Sequence, residues 1–336
     1  MSESPGASER LLRRIEWTSL RRLDGLLQGD YRTLLRGAGL DLADLREYQF
    51  QDDVRRIDWN ATARLDVPQV RDYLEDRELA AWFVLDLSAS VDFGSGAVSK
   101  RDLCAGFTGL LGRVLLRHGN RVGAVCAGGD GACTVLPARG GRTHLLHLLS
   151  RIAAKVSGTG AGAVATPAPG PGPGPAPAPG GLTDLGAMLT RAAGLIRRRS
   201  LVLVVSDFIS TPGWEQALAR LSMRHDVIAV RLLDPLEERL PDLGLVPLRD
   251  SETGDWLMVD TGDRGVRARY EALAQAADER LQAALARAGV DALELRCDED
   301  VAQALFGFLQ LRKQRARLSA GAASAAMAAL AAGRVV

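Results

Sequence analysis

The sequence predicts an α/β fold: a doubly wound, mostly parallel sheet with helices on both faces. Wholly apolar runs such as 201–205 are typical of strands that are buried on both faces of a sheet. Segments with helical spacing separate these runs, so strands and helices alternate along the chain. The composition, with 47% hydrophobic and 25% charged residues in a chain of 336, is that of an ordinary globular protein.

From residue 79 onward the predicted elements alternate regularly. Ser99 followed by Asp102 has the spacing of a capping box and predicts the start of the first helix. Thr211-Pro212 predicts an N-cap followed by proline at the first helical position. The predicted elements are, in order, the strand 82–87, a helix ending near Arg117, a hairpin over about 121–138, a helix over about 142–155, a helix from Thr183 to about Arg197, the strand 201–207, a helix after Pro212, the strand 226–234, an edge segment near 255–260, a helix near 264–288, the strand 290–298 and a helix near 299–316.

Three segments lie outside the main domain or interrupt it. Residues 1–78 are predicted to be an accessory region, with a helix over about 9–28 followed by short extended, charge-rich segments that pack on the main domain at 79–317. Residues 157–181 are a Pro/Gly/Ala loop of low complexity, and such a stretch buries too little apolar surface to become ordered. Residues 318–336 form an Ala-rich tail.

Charge and composition disfavour several function classes. The 42 basic residues are matched by 41 acidic ones, so no overall field favours nucleic acid or an anionic membrane. The four cysteines do not have zinc-site spacing, and the N-terminus lacks the apolar core of a secretory signal. No run of 18 strongly apolar residues predicts a membrane span. We therefore expect a soluble, cytoplasmic protein.

Oxygen-bearing side chains cluster where predicted strands end. The first strand ends in Asp86, Ser88 and Ser90 at alternate positions, and a later apolar strand ends in Asp207. The carboxyl ends of parallel strands share one edge of a sheet, where ligands bind in open α/β folds. Thr183 must return to that edge, because the helix that it precedes leads into the strand before Asp207.

Such a set of oxygen atoms suits a small hard cation, Mg²⁺ or alternatively Mn²⁺. Mg²⁺ takes six oxygen ligands, keeps several waters and is seldom enclosed by protein alone. We expect Ser88, Ser90 and Thr183 to bind the ion directly. Asp86 and Asp207 would hold it through water or hydrogen bonds, and a partner's carboxylate would complete the coordination. Each residue also has a structural alternative, as a turn former or, for Thr183, as a helix N-cap.

These residues carry a resemblance to a known family. The pattern Asp86-x-Ser88-x-Ser90 with Thr183 and Asp207 resembles the metal-ion-dependent adhesion site of von Willebrand factor A-like domains. The segments LADLREYQFQDDVRRIDWNATAR and VRDYLEDRELAAWFVLDLSASVDFGS resemble the domain of unknown function 58 family, a bacterial branch of that fold. The resemblance implies a von Willebrand A-like domain.

The resemblance is close over about residues 28–128 and looser from there to about 312. The sequence departs from the family pattern at Gln51, where Gly is usual, and at Val91, where Met is common, but neither is a proposed ligand. Genes of this family often accompany MoxR-type AAA+ ATPases. The resemblance therefore implies an adaptor in assembly, maturation or metal insertion, with such an ATPase as partner.

Other function classes fit the sequence less well. A haloacid-dehalogenase-type phosphatase needs a second Asp at the position of Ser88, and a serine hydrolase needs a G-x-S-x-G elbow, which is absent here. No G-x-x-x-x-G-K-[ST] loop is present. Nucleic-acid binding stays open as an alternative. The arginines that it would use are Arg55, Arg56, Arg64 and Arg71, or the run Arg197–Arg199. The favoured interpretation is a Mg²⁺-dependent protein-interaction module and not an enzyme.

Deletion of residues 167–179 is expected to change the melting temperature little, because the cost of closing a flexible loop grows slowly with its length. Thermal unfolding of wild type and the deletion variant, followed by circular dichroism, measures the difference. A large drop in melting temperature would show that the segment packs on the domain.

Overall fold

A computed structural model describes residues 44–48, 57, 59–65, 67–72, 80–128, 133–154, 183–249, 256–312 and 314–315. The predicted helix over 9–28, the Pro/Gly/Ala loop 157–181 and the tail 318–336 lie outside the described residues.

The accessory region contributes a small two-stranded sheet. Strands β1 (Asp44–Glu47) and β2 (Gln69–Asp72) pair in antiparallel fashion, and helix α1 (Trp59–Leu65) lies between them in the chain. The two strands are extended as predicted. The segment Trp59–Leu65 also falls in the part of the chain predicted to be extended, but it is helical, and its Trp59 is 68% exposed.

The central sheet has six strands in the order β10-β7-β6-β3-β4-β5. All neighbouring pairs are parallel except β4 with β5, which confirms the predicted doubly wound, mostly parallel sheet. The strands of the main domain are β3 (Ala80–Leu87), β4 (Arg121–Gly128), β5 (Cys133–Arg139), β6 (Leu201–Ser206), β7 (Asp226–Leu233), β8 (Leu245–Arg249), β9 (Trp256–Asp260) and β10 (Asp291–Arg296).

Helices cover both faces of this sheet. They are α2 (Lys100–Arg117), α3 (Arg142–Ala153), α4 (Leu185–Leu195), α5 (Trp214–Ser222), α6 (Pro235–Glu238), α7 (Arg264–Arg287) and α8 (301–312). Phe83 and Leu85 pack toward α2, α3 and α8, whereas Val84 packs toward α4, α5 and α7. This alternation buries both sides of β3, which is why its sequence is an unbroken apolar run. In the described part of the chain, no helix combines the length and the apolar character that a membrane crossing requires.

Two of the predicted helix starts differ from the structure. The capping box of Ser99 and Asp102 is confirmed at the start of α2. The prediction that Thr211 caps α5 is wrong: the N-cap is Gly213, whose positive φ of 110° suits glycine. The N-cap of α4 is Asp184, whose side chain accepts a hydrogen bond from Ala187 N, so Thr183 is not the cap.

The predicted edge segment near 255–260 is a strand, but it does not join the central sheet. It is β9, which pairs with β8 in a separate antiparallel hairpin. Several apolar side chains of this hairpin face solvent, including Leu245 on β8 and Trp256 on β9, which are 65% and 68% exposed. Strand β8 was not predicted from the sequence, because a hairpin without a buried face lacks the apolar pattern that marks the central strands.

The same Gly→Ala change is expected to have opposite effects at two positions. At Gly106, inside α2, the nearest atom to an added Cβ would be Val301 Cγ2 at 4.0 Å, so alanine should stabilise the protein by up to about 1 kcal/mol through its helix propensity. At Gly123 on β4, the Cβ would lie 2.8 Å from the Trp82 ring and 3.0 Å from Ala138 N, so alanine should cost on the order of 1–3 kcal/mol. Urea unfolding of both variants measures these changes. A Gly123→Ala variant as stable as wild type would contradict the close contact between β4 and Trp82.

Candidate functional site

The candidate site lies where the order of strands reverses. The chain begins the central sheet at β3, adds β4 and β5 on one side, and then returns to place β6 on the other side of β3. The carboxyl ends of β3 and β6 therefore flank the switch point, which is the usual ligand position in open α/β sheets. Asp86 is the penultimate residue of β3, and Asp207 directly follows β6.

Asp86 is buried and held by two hydrogen bonds. Its Oδ1 accepts from Ser88 N at 3.0 Å, and its Oδ2 accepts from Ser206 Oγ at 2.7 Å. The hydroxyl oxygens of Ser88 and Ser90 lie 3.0 Å apart. The structure thus brings together the three residues of the first oxygen pattern, Asp86, Ser88 and Ser90, and joins them to the end of β6 through Ser206.

The loop after β6 has a constrained backbone. Phe208 has a φ of 60°, in the left-handed region that non-glycine residues seldom adopt. Phe208 N donates to Ser206 Oγ at 2.9 Å, and its ring packs on that of Trp214 with 5.3 Å between the ring centres. These contacts hold an unfavourable conformation directly beside Asp207, a placement often found at binding sites.

Asp207 has a buried cationic partner that the sequence analysis did not predict. Its Oδ2 accepts from Lys100 Nζ at 2.8 Å, and the same ammonium lies 2.6 Å from Glu237 Oε1. Its Oδ1 accepts from Ile209 N at 3.1 Å. Asp207 therefore also stabilises its own turn. This contact is the one expected of the structural alternative, in which the residue is a turn former.

Thr183 is attached to the same loop. Its carbonyl oxygen accepts from Ser210 Oγ at 2.7 Å and from Thr211 N at 3.1 Å. Its hydroxyl oxygen is buried and has no hydrogen-bond partner among the described residues. Thr183 also lines a cleft with Ala127, which is the β4 neighbour of Asp86 in the sheet register. The cleft therefore borders the edge of the sheet that carries Asp86.

The two acidic networks differ in their electrostatics. Burial, and after it the negative charge of Asp207, raises the pKa of Asp86 to about 6, although the hydrogen bonds from Ser206 and Ser88 oppose this shift. Burial alone would lower the pKa of Lys100, but the carboxylates of Asp207 and Glu237 outweigh it and raise the pKa above its ordinary value. At neutral pH, Asp207 has a direct counter-charge and Asp86 is held by neutral donors.

The loop that follows β3 is held by contacts with helix α2 and with the residue that follows β7. Arg101, itself buried, donates to Leu87 O at 3.1 Å and forms an ion pair with Asp92. Ser95 N donates to Asp234 Oδ2 at 2.8 Å, which ties the loop to the carboxyl end of β7. The hydroxyls of Ser88 and Ser90 are therefore presented by a braced segment.

Three residues of this site were not predicted from the sequence: Ser206, Ser210 and Lys100. Ser206 carries a usable signal, since a polar residue at the end of a buried strand lies at the ligand-binding edge. Lys100 carries a weaker one, because a cation in the first turn of a helix opposes the helix dipole. Ser210, which links Thr183 to the N-terminus of α4, has none that we can identify.

The composition of the site is distinctive. Among the described residues, no three His, Cys, Asp or Glu side chains are grouped so that they could hold a metal ion. The candidate site combines two carboxylates with serine and threonine hydroxyls and one ammonium. The exposed run Arg197–Arg199, considered for nucleic-acid binding, precedes β6 and so lies at the opposite edge of the sheet.

Comparison with known proteins identifies relatives along nearly the whole chain. Residues 44–280 match the family described as protein of unknown function DUF58. The chain is 35% identical over 305 residues to the uncharacterized protein Rv1480 of Mycobacterium tuberculosis, and to the uncharacterized protein Mb1516 of Mycobacterium bovis; each match covers 91% of this chain and 90% of the relative.

Two solved structures match this chain at much lower identity. The conserved hypothetical protein BatB from Bacteroides thetaiotaomicron is 12% identical, with a TM-score of 0.40. An aerotolerance-related membrane protein from Bacteroides fragilis is 16% identical, with a TM-score of 0.42. Each match covers 70% of this chain and 99% of the other structure.

Replacing Asp86 by Asn is expected to stabilise the metal-free protein above pH 6. The folded-state pKa of about 6 exceeds the ordinary value of 3.8, so the folded protein binds more protons than the unfolded chain between these values. The charge therefore costs stability at pH 7–8, about 3 kcal/mol, and this cost disappears as the pH falls toward 4.

Urea unfolding of Asp86→Asn and wild type in EDTA, from pH 4 to pH 8, measures the difference in stability. We expect the advantage of the variant to grow through pH 5–6 and then to level off. An Asn variant that is less stable than wild type at pH 8 would show that the carboxylate charge is compensated in the folded protein.

Proposed function

This chain belongs to the DUF58 family of proteins of unknown function, and we propose that it is a protein-interaction module whose binding depends on a divalent cation. The observation that carries the proposal is Asp86: a buried carboxylate at the switch point, with a raised pKa and neutral donors as its hydrogen-bond partners. Burying an anion without a counter-charge is costly. A cation at this edge would remove that cost, which supports a cation-binding role.

The residues present fit a Mg²⁺ site, with Mn²⁺ as the alternative. We propose that the hydroxyls of Ser88, Ser90 and Thr183 bind the ion directly, and that Asp86 and Asp207 hold it through water or hydrogen bonds. The buried hydroxyl of Thr183, which has no hydrogen-bond partner in the described part of the chain, supports this assignment, because a buried polar atom without a partner is unfavourable. When bound, the cation would supply a positive charge that a carboxylate of another molecule can reach.

The geometry favours recognition over catalysis. Both carboxylate oxygens of Asp86 already accept hydrogen bonds, and Lys100 is fixed between two carboxylates. Ser88 stands where a phosphatase of the haloacid dehalogenase type would need its second Asp. These side chains hold one another in place, which supports a binding role, and we propose a binding module without enzymatic activity.

The proposed partner is a MoxR-type AAA+ ATPase that presents an Asp or Glu to the ion, and the proposed role is assembly or maturation of protein complexes. The family resemblance of the sequence motivates the choice of partner. The proposed location is the cytoplasm. The four cysteines of the chain are free thiols, and burial raises the pKa of Cys104 and of Cys126 to about 12, which suits a compartment where thiols stay reduced.

Binding of a purified MoxR-type AAA+ ATPase should require both Mg²⁺ and Thr183. Surface plasmon resonance on the immobilised chain, in Mg²⁺ and in EDTA, measures the affinity of the purified ATPase. Thr183→Val preserves side-chain shape but removes the hydroxyl, and we expect binding at least ~10-fold weaker, since a hydrogen-bonding or liganding oxygen is lost from a buried site.

Thr143→Val is the matched control for this measurement. Thr143 is exposed in the first turn of α3, which follows the antiparallel strand β5 and so begins at the opposite edge of the sheet. It should leave ATPase binding unchanged. Equal binding by Thr183→Val and wild type, or equal binding in EDTA, would contradict the metal-dependent proposal. If Mg²⁺ raises the melting temperature of wild type but not of Asp86→Asn and the ATPase does not bind, the metal site stands and the choice of partner is wrong.

A further inference from the structure

Lys100 is a fully buried lysine beside the candidate site. Its side chain has no exposed surface, and its Nζ lies 2.8 Å from Asp207 Oδ2 and 2.6 Å from Glu237 Oε1. Burying an ammonium group costs several kcal/mol unless it is paired with good geometry. The first turn of α2 is also the electrostatically unfavourable end of a helix for a cation. Helix stability therefore does not account for a lysine at this position.

The second carboxylate that contacts Lys100 is firmly positioned. Glu237 lies on α6, where it forms a capping box with Asp234. Asp234 is also buried, and its Oδ2 accepts from Ser95 N in the loop that follows Ser90. The lysine is thus enclosed between the end of β6 and a helix that is itself tied to the candidate site's loop. Its charge is held in place beside Asp207.

We propose that Lys100 sets the charge of the metal site, so that a divalent cation binds firmly only when a partner supplies a further carboxylate. This inference rests on the proposed function. Lys100, which is shared between Asp207 and Glu237, partly compensates the charge of Asp207, whereas Asp86 has no direct cationic partner among the described residues. Next to the ion, one full carboxylate charge, a partly compensated one and neutral hydroxyls leave a divalent cation with excess positive charge. That excess attracts an anionic group from another molecule.

The proposal makes Lys100 a positioning residue and not a ligand. Its effect on the ion is electrostatic, through the nearby Asp207, so removing its charge should strengthen metal binding in the absence of any partner. A lysine that served only the stability of the fold would change the melting temperature without raising the metal affinity. Metal affinity therefore separates the two roles.

The experiment uses Mn²⁺ as the probe and electron paramagnetic resonance to measure free Mn²⁺, with the full chain in the presence and absence of excess acetate. For wild type we expect weak binding of Mn²⁺ alone and tighter binding with acetate. For Lys100→Met we expect binding of Mn²⁺ alone to be ~10-fold tighter or more, since one nearby positive charge is removed. The gain from acetate should be smaller than in wild type. Asp86→Asn should abolish binding in both conditions.

A matched pair on α6 provides a second measurement that does not remove the lysine. Glu237→Gln leaves the charge of Lys100 directed at Asp207 alone, and should weaken Mn²⁺ binding severalfold. Glu238→Gln removes the same charge from the neighbouring residue, which pairs with Arg296 at 2.6 Å, and should leave Mn²⁺ binding unchanged. The comparison corrects for the general loss of negative charge on this helix.

The outcomes separate the two proposals. Binding by folded Lys100→Met that is no tighter than in wild type, with Asp86→Asn abolishing it, would overturn the role of Lys100 and leave the metal site intact. Failure of wild type and Lys100→Met to bind Mn²⁺ even with acetate, or binding to Asp86→Asn as tight as to wild type, would overturn the proposed function itself. If circular dichroism shows that Lys100→Met does not fold, equal affinities of Glu237→Gln and Glu238→Gln would overturn the role of Lys100.

Discussion

The cost of burying the charge of Asp86 is the constraint on which the arrangement of the switch point depends. This carboxylate is 1% exposed at the end of a central strand, and its surroundings supply it with the Ser88 amide and the Ser206 hydroxyl. The one nearby ammonium, among the described residues, contacts Asp207 instead. Burial is therefore compensated by a counter-charge for Asp207 and by neutral hydrogen-bond donors for Asp86. This difference determines the chemistry that the edge of the sheet can support.

The fold could be predicted wherever one physical signal dominates the local sequence. Buried strands such as β3 and β6 are unbroken apolar runs, and the capping box of Ser99 marks the start of α2 within one residue. Prediction failed where the local signal was ambiguous. Thr211 has the chemistry of an N-cap, but its amide binds the carbonyl of Thr183, and the helix begins after Gly213. The exposed hairpin β8–β9 lacks a buried face, so its first strand leaves no periodic trace.

The site could be predicted only in part, for a related reason. Residues at the ends of strands are placed by the topology, so the sequence was enough to bring Asp86 and Asp207 to one edge. The contacts of Lys100 join it to residues 107 and 137 positions away, and depend on how α2, β6 and α6 pack together. Local patterns cannot encode such a pairing. From sequence alone, a lysine in the first turn of a helix is predicted to be exposed to solvent, because its neighbours in space are not known.

The two strands that carry the site are also the innermost strands of the sheet, since β3 and β6 are each hydrogen-bonded on both sides. Their amides should be among the slowest in the protein to exchange with solvent, because opening them requires most of the domain to unfold. Under the proposed function, a binding edge built on such strands would change its shape little when a partner docks. Association would be a rigid docking event, with little ordering entropy lost on this side, and any conformational adjustment would fall to the partner.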